Sequence, residues 1–196
     1  MECEVLLTGI GGQGIQLAAR TLALAAVAEG REVMVFGAYG GSMRGGNTDA
    51  TVVVGDGPLR SPPTVDDAWS ALAMHHQYWE AVRERMRPGG IVVVDTSVFQ
   101  GDVATPDCTV VGVEATTVAA DLGNARAAAM VALGAFAAAT ALVGLDALVT
   151  ATATVLPPYR SQHAEANARA VRAGFALVSG PAVAAWAAPL PTGAAP

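Results

Sequence analysis

Short apolar runs alternate along the chain with longer mixed stretches, and glycine or proline stands at most of the changes. Residues 4–9 read as a strand, and its Val5-Leu6-Leu7 core leads directly into Gly9-Ile10-Gly11-Gly12-Gln13-Gly14. Residues 14–29 predict a helix that is apolar on most sides, with Gly30 as the residue that ends it. Val33 to Phe36 reads as a second strand, followed by a loop over 37–47 that holds five glycines. Ala50 to Val54 is a further β-branched run, and Gly55-Asp56-Gly57-Pro58 marks a hairpin or strand exit.

Thr64-Val65-Asp66-Asp67 predicts the cap of a short helix beginning near Asp67, with Ala68, Trp69 and Leu72 facing inward. A second helix is expected over 75–86, stopped by Pro88-Gly89-Gly90. Ile91 to Val94 is uninterrupted and β-branched, the mark of a strand covered on both faces, and it ends in Asp95-Thr96. Thr109 to Val113 predicts another strand, and helices are expected over 116–122, 125–143 and 165–173, the last ended by Gly174. Residues 146–156 carry no clear assignment. Strands alternating with helices and short turns predict one Rossmann-like layered α/β domain over 1–179, with a mainly parallel sheet and helices on both faces. Residues 180–196, rich in Ala and Pro, are expected to form a mobile tail.

Composition narrows the chemistry. At 196 residues the chain suits one sizeable core. All eleven basic residues are Arg, so neither a P-loop lysine nor a Schiff-base amine can be built. A net charge of −6 argues against nucleic acid as a partner, because counterion release needs clustered positive charge. The apolar stretch 127–145 reaches membrane-spanning length, but Ala dominates it and Asp146 follows, so it reads as a buried helix rather than a membrane contact. The first residues have no basic signal region, and a cytoplasmic protein is expected. Cys3 and Cys108 stand far from cluster or zinc spacing and read as packed thiols. His75 and His76 would diverge on a helix and His163 is solitary, so no metal site is expected.

Candidate chemistry concentrates in the loops. Gly9 to Gly14, Gly37 to Asn47 and Asp95 to Phe99 all follow strands, so the three could converge on one sheet edge. Glycines at the first, third and sixth positions of the first loop tighten the turn, admit a ligand's phosphates and let the helix lie close. A dinucleotide site would also want an acid at the end of the second strand, where Val35-Phe36-Gly37 stands instead. Gln13 can donate to a phosphate or tie the two glycine loops together. Arg44, between glycines, can grip an anion bidentately or brace an interface. Gly55-Asp56-Gly57 begins like the diphosphate motif of thiamine enzymes, but Pro58 follows and no suitably spaced Asn completes it; it reads as a turn.

Taken together, Gly9-Ile10-Gly11-Gly12-Gln13-Gly14, Tyr39-Gly40 to Arg44-Gly45-Gly46, Pro88-Gly89-Gly90 before the strand with Asp95, Met130-Val131-Ala132-Leu133-Gly134-Ala135, and Asn167-Ala168 near Gly174 resemble the gamma subunit of 2-oxoacid:acceptor oxidoreductases. The resemblance runs over residues 4–175. It implies a non-redox subunit of an enzyme that oxidatively decarboxylates a 2-oxoacid to acyl-CoA and CO₂ and passes two electrons to ferredoxin or a similar acceptor. It implies thiamine diphosphate, Mg²⁺ and iron–sulfur clusters in thiamine-binding alpha and beta subunits and a possible ferredoxin-like delta subunit, with none held by this chain. Carried over, Gly9, Gly11, Gly12, Gln13 and Gly14 face the opening where CoA meets the acyl group, and Arg44, Gly45 and Gly46 lie in the neighbouring loop. No catalytic residue is implied, and the isolated chain is expected to be inactive. Family members often carry Asn before the Met-x-x-Leu-Gly run, where this chain has Ala129. The alternatives are an independent NAD- or FAD-binding protein and a structural interaction module.

Overall fold

β1 (Glu2–Ile10) is buried along its length except at its two end residues, so its sheet must be covered on both sides. A computed structural model describes residues 1–39, 45–60 and 64–186. The other strands are β2 (Glu32–Tyr39), β3 (Asn47–Gly55), β4 (Ala68–Ala73), β5 (Met86–Asp95) and β6 (Thr109–Val113). They form one sheet in the order β2-β3-β1-β4-β5-β6. β1, β4, β5 and β6 run parallel to one another, whereas β3 is antiparallel to both β1 and β2. The sheet is therefore α/β in character and mostly parallel, with an antiparallel strand inserted between β1 and β2.

The helices are α1 (Ile15–Ala28), α2 (Trp79–Arg83), α3 (Ala115–Asp121), α4 (Ala128–Thr140), α5 (Leu145–Thr154) and α6 (Ala164–Ala176). They cover both faces, but unevenly. α1, α3, α4, α5 and α6 share one large apolar core with Val5, Leu7, Val52, Leu72 and Val93 of the sheet. The opposite face, with Leu6, Val53, Ala71 and Val92, is closed by Trp79 and Val82 of α2 together with Val65, Phe99 and Val103. α4 is buried at every position, as its unbroken apolar sequence requires. Among the described residues no helix is long and apolar enough to cross a membrane. α5 occupies the stretch that periodicity leaves unassigned.

α4 can be enclosed because α6 approaches it backbone to backbone. A Cβ at Gly134 would lie 2.1 Å from the Val171 carbonyl oxygen, and one at Gly174 would lie 1.8 Å from that of Val131. Gly174 thus does not end the last helix, as sequence punctuation predicts; α6 continues through it, and the missing side chain serves packing.

Two further expectations are corrected here. The segment 68–73 is a central strand, not a helix: its alanines and Ser70 offer little β-propensity, but burial between β1 and β5 decides the conformation. Trp69 accordingly lies in the core at 8% exposure. The helix expected over 75–86 is a short 3₁₀ turn, His76–Tyr78, followed by α2, and Met86 already belongs to β5. Gly90 allows that longer strand, since a Cβ there would sit 2.4 Å from the Trp69 carbonyl oxygen. Residues 180–186, at the head of the Ala/Pro-rich segment, dock on the end of α4: Ala182 N–H donates to Ala139 O, and Trp186 Nε1 donates to Leu142 O at 3.0 Å.

Replacing Gly134 or Gly174 by Ala gains about 1 kcal/mol in helix propensity but overpacks a backbone contact, at a typical cost of 1–3 kcal/mol or more. Each variant is expected to lose about 2 kcal/mol of stability in urea denaturation. A rise in the midpoint would show that the two helices are not held at this distance.

Candidate functional site

The C-terminal end of β1 sets the site. Ile10 pairs with Asn47 at the start of β3, and the ladder continues one step beyond the strands. Gly11 N–H donates to Gly46 O at 2.9 Å, and Gly45 N–H donates to Gly11 O at 3.4 Å. The first glycine turn and the end of the second glycine loop are therefore one unit. Gly40 to Arg44 lie outside the described residues, so the structure brings Gly45 and Gly46 to the turn and says nothing of Arg44.

Each glycine of the turn has its own reason. Gly12 and Gly14 adopt φ of 106° and 86°, which side-chain-bearing residues rarely take. Gly9 is needed for space, because a Cβ there would meet Gln13 Oε1 at 2.6 Å and Ile15 Cδ1 at 2.9 Å. The close-packing role that motif position assigns to Gly14 thus falls to Gly9, since Gly14 has only ordinary room, 3.6 Å, to the Ala129 methyl. That contact locates the departure from the family pattern: position 129 adjoins the turn, and here it is a methyl group.

Gln13 acts as a strut. Its Oε1 accepts from Ile10 N–H at 2.9 Å, closing the turn, and its Nε2 donates to Met74 O at 3.1 Å. The side chain joins the end of β1 to the end of β4, not to the second glycine loop. No sequence signal points to Met74, because the acceptor is a backbone carbonyl. Gln16, in the first turn of α1, reaches the other way and donates to Asp49 O at 2.7 Å. Asp49 accepts from Thr8 Oγ1 at 2.7 Å and from Asn47 Nδ2 at 2.6 Å, which fixes the start of β3 against β1.

α1 itself begins without a side-chain cap and without an acid in its first turn. The positive end of its dipole is left for another group to meet. The third strand-end loop does not join this unit. Asp95 is fully buried and accepts from the backbone N–H groups of Ser97 and Thr116 and from Thr116 Oγ1, which fastens it to the start of α3. Phe99 packs edge-on against His76 and Trp79, and Gln100 N–H donates to His76 Nδ1. Two of the three loops converge, and the third belongs to the neighbouring 75–79 turn.

The histidine pair also differs from expectation. His75 is extended rather than helical, so its ring stacks on that of His76 with centroids 4.3 Å apart. His75 Nδ1 accepts from Gln77 N–H, and burial followed by the neighbouring His76 lowers its pKa. Among the described residues no group of three His, Cys, Asp or Glu is placed to hold a metal. Cys3 is buried, with its thiol pushed up to about 12 chiefly by burial, and burial also raises Cys108. Both behave as packed thiols.

The topology weighs against a dinucleotide. With β3 between β1 and β2, the end of β2 is two strand spacings, roughly 10 Å, from the glycine turn. Glu29, the nearest acid before β2, instead accepts from Gly144 N–H at the start of α5.

Residues 4–177 match the pyruvate ferredoxin/flavodoxin oxidoreductase family. The chain belongs to that family. Over 135 residues it is 35% identical to ketoisovalerate oxidoreductase subunit VorA of Methanothermobacter thermautotrophicus, a stretch that is 68% of this chain and 27% of VorA. The chain thus spans only about a quarter of that relative's length. Its fold is similar to the gamma subunit of a keto/oxoacid ferredoxin oxidoreductase from Geobacter sulfurreducens PCA, with TM-score 0.75 and 26% identity over 89% of this chain and 96% of that one. It also shares its fold with part of a 2-oxoglutarate:ferredoxin oxidoreductase from Magnetococcus marinus that was solved with 2-oxoglutarate, coenzyme A and succinyl-CoA bound. There the TM-score is 0.79 at 21% identity, covering 92% of this chain and 33% of the other. In this oxidoreductase-family chain, then, the braced glycine unit lies within the matched region.

Gln13→Ala removes both hydrogen bonds of the strut at once. With each worth about 1 kcal/mol net, a loss of about 1–2 kcal/mol is expected in denaturant unfolding, with faster hydrogen exchange at the Ile10 amide. Unchanged exchange there would show that the turn closes without Gln13.

Proposed function

We propose that the chain is the gamma-type subunit of a 2-oxoacid:ferredoxin oxidoreductase and supports CoA-dependent oxidative decarboxylation of a 2-oxoacid. In that reaction the bond between the carboxylate and the oxo carbon breaks and CO₂ leaves. The acyl carbon is joined to the CoA sulfur, and two electrons pass to ferredoxin. Thiamine diphosphate, Mg²⁺ and the iron–sulfur clusters belong, on this reading, to alpha and beta subunits and a ferredoxin-like subunit. The residues of this chain do not fit a cluster: it has two cysteines, and Cys3 is buried with a suppressed thiolate. No chemical step is therefore assigned to its side chains. The oxidoreductase works as a complex in the cytoplasm.

The observation that carries the reading is the hydrogen-bonded pairing of Gly11 with Gly45 and Gly46 inside the family match. It joins the first glycine turn to Gly45 and Gly46 as one braced wall beside a helix start without a side-chain cap, suited to receive a phosphate-bearing cosubstrate or a neighbouring subunit. Gly9, Gly11, Gly12, Gln13 and Gly14 form and hold that wall with Gly45 and Gly46, and Arg44, next to Gly45 in sequence, is assigned as the cation that meets the ligand. The coenzyme A bound in the Magnetococcus enzyme supports CoA as the cosubstrate.

Arg44→Ala and Gly12→Val, introduced separately into the assembled complex, test this directly. Arg44→Ala removes a charge-assisted contact, so the apparent KM for CoA is expected to rise about tenfold. Gly12→Val forces a β-branched residue to φ 106° and is expected to raise the same KM while assembly persists. If neither variant changes the CoA requirement, the assignment of these loops to CoA is wrong.

A further inference from the structure

α1 carries the chain from β1 toward β2, whereas α2 carries it from β4 the other way to β5, so the winding of the sheet reverses between β1 and β4. In open α/β sheets the carboxyl ends of the strands at such a reversal border the functional crevice. The glycine turn stands on the β1 side, and His75 and His76, two and three residues beyond β4, stand on the other. Gln13 ties the two sides together through Met74 O.

The histidine pair is held in one protonation state by its backbone partners. His75 Nδ1 accepts from Gln77 N–H at 3.2 Å, which caps the turn over His76–Tyr78. His76 Nδ1 accepts from Gln100 N–H at 3.2 Å, which fastens the loop after β5 to that same turn. A ring nitrogen that accepts carries no proton, so both imidazoles are neutral with the proton on Nε2. The rings are stacked, with centroids 4.3 Å apart and planes 25° from parallel. Phe99, in the fastened loop, lies edge-on to His76.

Protonation turns each of these contacts against itself. A proton on Nδ1 would face the N–H of Gln77 or Gln100, donor against donor, and two stacked imidazolium rings would repel. No neighbouring carboxylate offsets that charge. Glu80 and Arg83 of α2 pair with each other at 2.8 Å, and Asp95 of β5 accepts from Ser97 and Thr116. The Tyr78 hydroxyl accepts from Gln77 Nε2, and Thr8, Gly9 and Ile10 of β1 are uncharged. Burial, and after it the neighbouring His76, hold the His75 pKa below the ordinary histidine value.

We propose that His75 and His76 form a proton-operated clasp: neutral, they hold the loop after β5 against the turn that carries the Gln13 acceptor, and protonated, they release it. Because the folded His75 resists protonation, the unfolded chain binds the proton more readily. The stability contributed by the clasp is therefore full above the ordinary histidine value of about 6.5 and is lost as pH falls below it. The effect of the clasp on CoA rests on the reading of the glycine wall proposed above; the clasp itself does not.

The test is amide hydrogen exchange of the full chain at about pH 7.5 and about pH 5.5, each rate corrected for its intrinsic pH dependence. Protection of the Gln77 and Gln100 amides is expected to fall about fivefold at the lower pH. In His75→Asn/His76→Asn each Oδ1 takes the place of Nδ1 as an acceptor that cannot be protonated, so protection should be equal at the two pH values. His75→Ala/His76→Ala should lack this protection at both, with folding of each variant checked by its unfolding midpoint. Constant protection in the parent, an equal fall in the Asn variant, or retained protection in the Ala variant overturns the clasp. The apparent KM for CoA of the assembled complex, measured at the same two pH values, should rise about fivefold more in the parent than in the Asn variant. A clasp that opens in the exchange experiment without that difference stands as a clasp and counts against the CoA reading of the wall.

Discussion

The backbone contact between α4 and α6 at Gly134 and Gly174 is the constraint on which the rest of the structure depends. α4 is apolar all round and must be covered on every side. The sheet covers one side, and α6 covers another only because two absent Cβ atoms let carbonyl oxygens occupy their place. With α4 held there, Ala129 rests against Gly14 and the start of α6 borders the same cavity as the first turn of α1. Packing chosen for burial thereby fixes the surroundings of the glycine turn.

The turn shows how rigidity is obtained without a side-chain cap. Its backbone is joined to the second glycine loop through Gly11, its side-chain strut Gln13 reaches β4, and Gln16 reaches β3. Three neighbours thus restrain one short segment, and α1 still begins without a side-chain cap. A segment held in this way can present backbone N–H groups to an anion with little ordering cost. The antiparallel β3 is what makes it possible, since it carries the second loop to the turn and displaces β2 from it.

Much of this was legible in residue order. The first strand, the helix ended by Gly30 and the strand over 109–113 follow from local pattern, because their apolar runs and punctuating residues agree with their burial. β4 was hidden because Ala, Ser and Trp in 68–71 read equally well as helix, and only burial between two strands distinguishes them. Gly174 was misread because a glycine in a helix looks the same whether it ends the helix or admits a neighbour. At the site, convergence of the first glycine loop with the second was anticipated, whereas the backbone pairing of Gly11 with Gly45 and Gly46, the Gln13 contact with Met74 O and the gathering of Arg126, Arg160, His163 and Asn167 were not. Those residues come from three separate elements and have no spacing that links them; their association exists only in the folded chain.

The central claim is that this member of the pyruvate ferredoxin/flavodoxin oxidoreductase family acts as a braced, non-redox wall inside a larger enzyme. Its most direct test is 2-oxoacid-dependent reduction of ferredoxin or a viologen dye, followed with CoA varied, for the isolated chain and for the complex assembled with and without it. The account predicts no turnover by the isolated chain and CoA-dependent turnover only by the complete assembly. Turnover by the chain alone, or an undiminished rate and CoA dependence in its absence, would contradict it.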